Sequence, residues 1–187
     1  MKQVSSAIVL SLAVFCAAVK CSSAQPLPSP SQAKMPEKPS DALARSVHHQ
    51  IQVLPFYSVF DNIEFRVEGN RVTLTGQVLR TTLKASAEAA VKDLEGVGTV
   101  SNQIEVLPFS ESDDGLRGDI YRALFENDAL KRYAVETVPS IHIIVKNGNV
   151  LLEGWVENDS DKKLAGTLSG TVSNTKSLQN HLVVKQK

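Results

Sequence analysis

The sequence predicts an α+β fold of two tandem αββαβ modules, each a three-stranded mixed sheet covered on one face by two helices. Three observations carry this. First, the chain matches itself without a gap at an offset of 78 positions, with Val67-Glu-Gly-Asn-Arg-Val72-Thr-Leu74-Thr-Gly76-Gln-Val78 lying over Val145-Lys-Asn-Gly-Asn-Val150-Leu-Leu152-Glu-Gly154-Trp-Val156. Self-similarity at a fixed period marks a repeated structural unit. Second, within each copy the apolar period changes from helical to alternating and back. Third, the alternating runs are joined by Glu68-Gly69-Asn70-Arg71 and Lys146-Asn147-Gly148-Asn149, whose Gly and Asn residues tolerate the positive φ of tight hairpins.

The elements follow in order. Leu43, Val47, Ile51 and Leu54 fall on one face of a first helix, and Leu116, Ile120 and Leu124 repeat that stripe. The two stripes match at an offset of 73, so five extra residues sit after the first helix of copy two, around Asn127 to Ala134. Strands follow at Ile63, Phe65 and Val67, then at Val72, Leu74 and Val78. A second helix is expected from about Thr82 to Glu95, with Leu83, Ala87, Val91 and Leu94 inward and Gly96 as its stop. A last strand closes each copy, Val97 to Val106 and Thr175 to Val184. It returns parallel to its neighbour, which requires the crossover helix and places both helices on one face.

The N-terminus reads differently. Lys2, the apolar run Ala7 to Val19 and the small residues Ser22-Ser23-Ala24 have the pattern of a secretory signal over 1–24, cleaved after about Ala24. The run is shorter than the roughly 20 residues a spanning helix needs. Residues 25–40 hold five of the eight prolines and few large apolar groups, so a flexible leader is expected. The first domain is expected over 41–107, a linker over 108–115 and the second domain over 116–187. Each domain is close to the lower limit for a self-sufficient core, so docking between copies or dimerisation would help.

Composition excludes several chemistries. Both cysteines, Cys16 and Cys21, lie within the signal, and neither follows the small residue that lipidation requires. The mature chain would then have no disulfide and no thiolate nucleophile, and export without disulfides suits a bacterial envelope, most simply the periplasm. Loss of Lys2 and Lys20 leaves 18 basic against 20 acidic side chains, a balance that argues against general nucleic-acid binding. His48 and His49 are adjacent on a helix and point about 100° apart. His142 and His181 take outward strand positions near Glu153, but without closed ligand spacing they read as polar residues of a sheet face. Gly166-Thr-Leu-Ser169-Gly170 has its serine one place too late for a hydrolase elbow. Asn158-Asp-Ser160 reads as a helix N-cap cluster. Hence no catalytic residue, metal or cofactor is expected, and a non-enzymatic chain is.

The pattern of an alternating strand, a Gly/Asn turn, Val72-Thr-Leu74-Thr-Gly76, an amphipathic helix, and Gly96-Val97-Gly-Thr-Val100-Ser-Asn102-Gln-Ile104-Glu-Val106 resembles the BON (bacterial osmotic-stress and nodulation) domain. Copy two keeps Val150-Leu-Leu152-Glu-Gly154 but has Asn174-Thr175 in place of Gly-Val. Its second helix also carries Gly166 and Gly170, each costing about 1 kcal/mol relative to Ala, so an irregular helix is expected there. The resemblance spans Asp41 to Val184. It implies a binding role at phospholipid membranes or the envelope under osmotic stress, with the second domain as the lipid-contacting one, and it carries over no contact residue.

Copy two differs from copy one in two places. Arg66, Thr73, Gln77 and Glu105 on the sheet face away from the helices become Ile144, Leu151, Trp155 and Val183. On the first helix, His48 and Gln52 become Tyr121 and Phe125, flanked by Arg117 and Arg122. Aromatics beside arginines suit an anionic membrane surface, so Arg117, Tyr121, Arg122 and Phe125 are the candidate lipid contact. Ile144, Leu151, Trp155 and Val183 are the candidate protein interface, for an envelope protein, a second copy in a homo-oligomer, or the other domain. The two patches are expected on opposite faces, beyond the reach of one partner.

Overall fold

The computed structural model describes residues 39–135 and 138–185. The signal over 1–24 and all but the end of the 25–40 leader lie outside them. The first module runs α1 (Pro39–Gln52), β1 (Asn62–Glu68), β2 (Arg71–Val78), α2 (Thr81–Lys92), β3 (Thr99–Asn102) and β4 (Glu105–Val106). The second runs α3 (Glu111–Phe125), a 3₁₀ turn (Lys131–Ala134), β5 (Ile141–Lys146), β6 (Asn149–Val156), α4 (Asp159–Gly170), β7 (Ser177–Asn180) and β8 (Val183–Val184). The fold is the α+β pair of modules that the repeat predicts. In each module the second strand is central, antiparallel to the first and parallel to the last.

The last strand is broken in two, where the sequence suggested one run. Asn102 causes the break in module one: its Oδ1 accepts from the Ile104 amide at 3.2 Å, turning the chain, while its Nδ2 donates to the Lys84 carbonyl in α2 at 3.0 Å. Asn180 repeats both bonds with Leu182 and Lys162 at 3.2 and 2.8 Å. One side chain thus ends a ladder and ties the crossover helix to it. The same bond explains α4, which is a regular helix and not the irregular one expected from its glycines. A Cβ on Gly166 would come within 2.8 Å of Asn180 Nδ2, so the glycine lets strand and helix close up. Module one has Glu88 there, and its carboxylate accepts from Asn102 at 3.0 Å instead. Asn158 caps α4 as expected, accepting from the Asp161 amide at 2.9 Å.

Helix boundaries shift for local reasons. α1 starts at Pro39, so the last two leader residues are helical. α3 starts at Glu111, inside the 108–115 stretch expected as linker, because Ser110 accepts from the Asp113 amide and three acidic residues fill the positive first turn. Asp113 then reaches back to the β5–β6 hairpin, accepting from the amides of Asn147 and Gly148 at 2.7 and 2.8 Å. The inserted stretch is largely exposed but also reaches inward. It allows Leu130 and Tyr133 to be buried in the core of module two.

The two cores are not independent. Module one packs Leu43, Val47, Ile51, Val72, Leu74, Leu83, Ala87 and Ile104 around α1, α2 and the sheet. Module two packs Leu116, Ile120, Leu124, Phe125, Ile143, Leu152 and Leu182, and also takes in Val59, from the loop between α1 and β1 of module one. The Val59 carbonyl accepts from the Ile143 amide at 2.8 Å, so this loop covers part of the edge of β5.

A glycine in each central strand is a fixed requirement. Gly154 has φ +106°, and a Cβ there would lie 2.0 Å from the Ser140 carbonyl oxygen. Gly76 repeats this with φ +107° and the Asn62 carbonyl at 2.2 Å. Gly154→Ala should therefore destabilise the protein by more than about 1 kcal/mol, read as a lower urea midpoint. Gly118→Ala, on an open helical position of α3, should leave the midpoint unchanged or raise it.

Candidate functional site

The four residues of the α3 patch divide into two inside and two outside. Arg117 is 2% exposed. Its guanidinium pairs with Asp114 and donates to the Val145 carbonyl at the end of β5, so it binds helix to sheet and cannot meet a membrane. Phe125 is likewise part of the core. Tyr121 remains 39% exposed, its ring edge-on to Phe125 at 4.9 Å and tilted against Phe60 at 6.1 Å. Arg122 is exposed and paired with Asp119 on the same helix. What reaches the surface is a ledge of one tyrosine, held by an aromatic from each module, with an arginine beside it.

The sheet patch divides as well. Ile144 is buried and shares a cavity of about 150 Å³ with Gln77 and Leu107 of module one. Beside it Lys146 bonds Glu105 at 2.5 Å across the modules. Ile144 therefore belongs to the contact between modules. Leu151 and Trp155 are half-buried, and Val183 is 65% exposed. Trp155 packs edge-on to Tyr133 at 6.3 Å, and the Lys185 ammonium lies 4.5 Å over its ring. Module one thus touches both patches, Tyr121 through Phe60 and Ile144 through Leu107. The two patches lie on opposite faces as expected, and module one of the same chain reaches the helical one through Phe60 and the sheet one through Leu107.

The histidines part company. His181 Nδ1 bonds Glu153 Oε1 at 2.8 Å on the surface. His142 keeps its outward position on β5, opposite Glu153, but is covered there. It is 9% exposed and stacks on Tyr57 of module one, with ring centroids 5.6 Å apart. Burial is the largest influence on it and pushes its pKa below the ordinary histidine value, against the carbonyls of Asp61 and Ser58 and the Asp61 charge. Tyr57 is pushed up to about 12, again chiefly by burial. Among the described residues no group of three His, Cys, Asp or Glu side chains is placed to hold a metal ion.

Sequence reasoning missed the residues that organise this region, Tyr57, Val59 and Phe60. The available signal was three large apolar groups close together in a loop, with no place in the stripe of α1 or the alternation of β1.

Comparison with known proteins places these features in a family. The BON domain pattern matches residues 58–108 and 112–186. The osmotically-inducible protein Y of Escherichia coli K12 is 31% identical over 127 residues, 66% of this chain and 62% of that protein, so the match stops short of that relative's full length. Among solved structures, the C-terminal domain of CdsD, a structural protein of the type III secretion system of Chlamydia trachomatis, is 14% identical. That match covers 77% of this chain and 98% of CdsD's, with a TM-score of 0.28, too low to carry an argument. With the pattern matched in both modules and over more than half of its length, the chain belongs to the BON domain family and carries two copies of that domain.

Proposed function

We propose that this chain is an exported, non-enzymatic binding module that serves the cell envelope under osmotic stress and attaches to a phospholipid surface through α3. The family, the name of the osmotically inducible relative and the signal-like pattern of residues 1–24 support the setting. The contact rests on one observation, the Tyr121 ledge. A tyrosine ring with an apolar body and a polar tip suits the boundary between lipid and water. Packing against Phe60 and Phe125 fixes that ring, so little side-chain entropy is lost on contact. The Arg122–Asp119 pair is exposed, and such pairs contribute little to stability, so the guanidinium can exchange its carboxylate for a lipid phosphate.

The structure dictates the variant. Phe125→Glu would place a charge in the core and report on folding alone, whereas Tyr121→Glu with Arg122→Glu changes two exposed residues and removes only the ring contacts of Tyr121 with Phe60 and Phe125. Wild-type protein should float with vesicles containing anionic phospholipid and stay behind with purely zwitterionic ones. The double variant should lose flotation while keeping its circular dichroism. Undiminished flotation of the folded variant would remove α3 as the contact.

A second reading is favoured by Val183, 65% exposed and paired across the sheet with the half-buried Trp155. It makes this face a protein contact, with self-association as its simplest form. That reading expects an oligomer in light scattering that Val183→Glu converts to monomer. A monomer in both samples would exclude self-association.

A further inference from the structure

The contact between the modules contains a buried titratable group that neither module's fold requires. His142 is the second residue of β5, next to Ile143, whose amide makes the hydrogen bond to Val59. In module one the same repeat position is Glu64, so the imidazole is a feature of the second copy. Its ring lies on Tyr57 at an interplanar angle of 29°. Its Nδ1 is buried without a hydrogen-bond partner, as is the neighbouring Ser140 hydroxyl. The carbonyls of Asp61 and Ser58 and the Asp61 charge favour the protonated ring, but burial outweighs them. A neutral ring therefore fits the contact. A proton at Nδ1 would be buried without a hydrogen-bond partner.

The charged and titratable groups around this ring do not offset that cost. From the α1–β1 loop, the Asp61 carboxylate accepts from the Ser58 amide and hydroxyl at 3.0 and 2.6 Å and from the Leu79 amide at 2.8 Å. Tyr57, titrating near 12, stays neutral. From β1, Glu64 accepts from the Asn62 amide group at 3.2 Å. From β6, Glu153 is the cross-strand partner of His142 but bonds His181. From α1, His48 lines the same cavity of about 170 Å³ and lies 3.5 Å from the Gln52 side chain.

We propose that His142 and Tyr57 form an acid-released latch, holding the two modules together at neutral pH and loosening them as the surroundings acidify. The sign follows from linkage. The docked ring resists protonation, so the undocked form binds the proton first. Docking is at full strength above the ordinary histidine value of about 6.5, and weakens by up to about tenfold per pH unit below it until the docked ring also charges. Release would uncover Val59, Phe60 and Ile144, turning an internal contact into apolar surface.

The Ile143 amide reports the latch directly. In the full chain, its hydrogen-exchange protection relative to amides within α2 and β2 cancels the common pH dependence of exchange. Between about pH 7.5 and about pH 5 this ratio should fall several-fold in wild type, in step with the titration of the His142 ring followed by NMR. In His142→Phe, which keeps the stacking but cannot titrate, the ratio should stay flat, and His142→Gln serves if Phe disturbs the packing. A pH-independent ratio in wild type, or an equal fall in the non-titrating variants, would overturn the latch.

Discussion

The structure depends on the seating of one loop, Tyr57 to Phe60, along the edge of β5. Its backbone provides a hydrogen bond from the Ile143 amide to the Val59 carbonyl, and its side chains provide three contacts. Val59 enters the core of module two, Tyr57 covers His142, and Phe60 supports Tyr121. A strand edge with unpaired amides is an invitation to other chains, and module one occupies part of it within the same molecule. A module of this size has a marginal core, and a shared one offsets that weakness. The surface available for a partner is whatever this docking leaves uncovered.

The two copies share a frame and differ in the ties added to it. Asn102 and Asn180 do the same work in both by bonding strand to helix, and Gly76 and Gly154 by admitting a close backbone carbonyl. Elsewhere module two carries internal ties of its own. Asp113 holds the hairpin turn, Arg117 caps the end of β5, and Tyr133 donates to Asp161 at 2.5 Å while accepting from the Glu157 amide at 2.9 Å. These bonds fasten α3, the inserted turn and α4 to the sheet. The apolar change from Gln77 to Trp155 and from Arg66 to Ile144 reads as part of the same process, at least where Ile144 meets module one.

The repeat and the change of period made the architecture legible, because each copy states its helices and hairpin twice. The break in the last strand was not legible, since Val-x-Asn-x-Ile alternates like an unbroken strand and only the bonds to α2 reveal the turn. The candidate site was half legible. Tyr121 and Arg122 lie where the helical wheel puts them, at the surface. Arg117 and Phe125 sit one position beyond Leu116 and Leu124, and the buried stripe of α3 proved wide enough to include them. Arginine burial depended on the Val145 carbonyl, 28 positions away, which no local pattern shows. His142 was hidden for the same reason, as its cover comes from the other module.

The central claim is that a loop of module one completes the core of module two. Equilibrium unfolding of Val59→Ala tests it directly, with the chain's single tryptophan, Trp155 in β6 and packed against the core of module two, as the reporter. The account predicts that removing this side chain from module one lowers the stability read at Trp155 by about 2 kcal/mol. A tryptophan transition unmoved from that of wild type would contradict it.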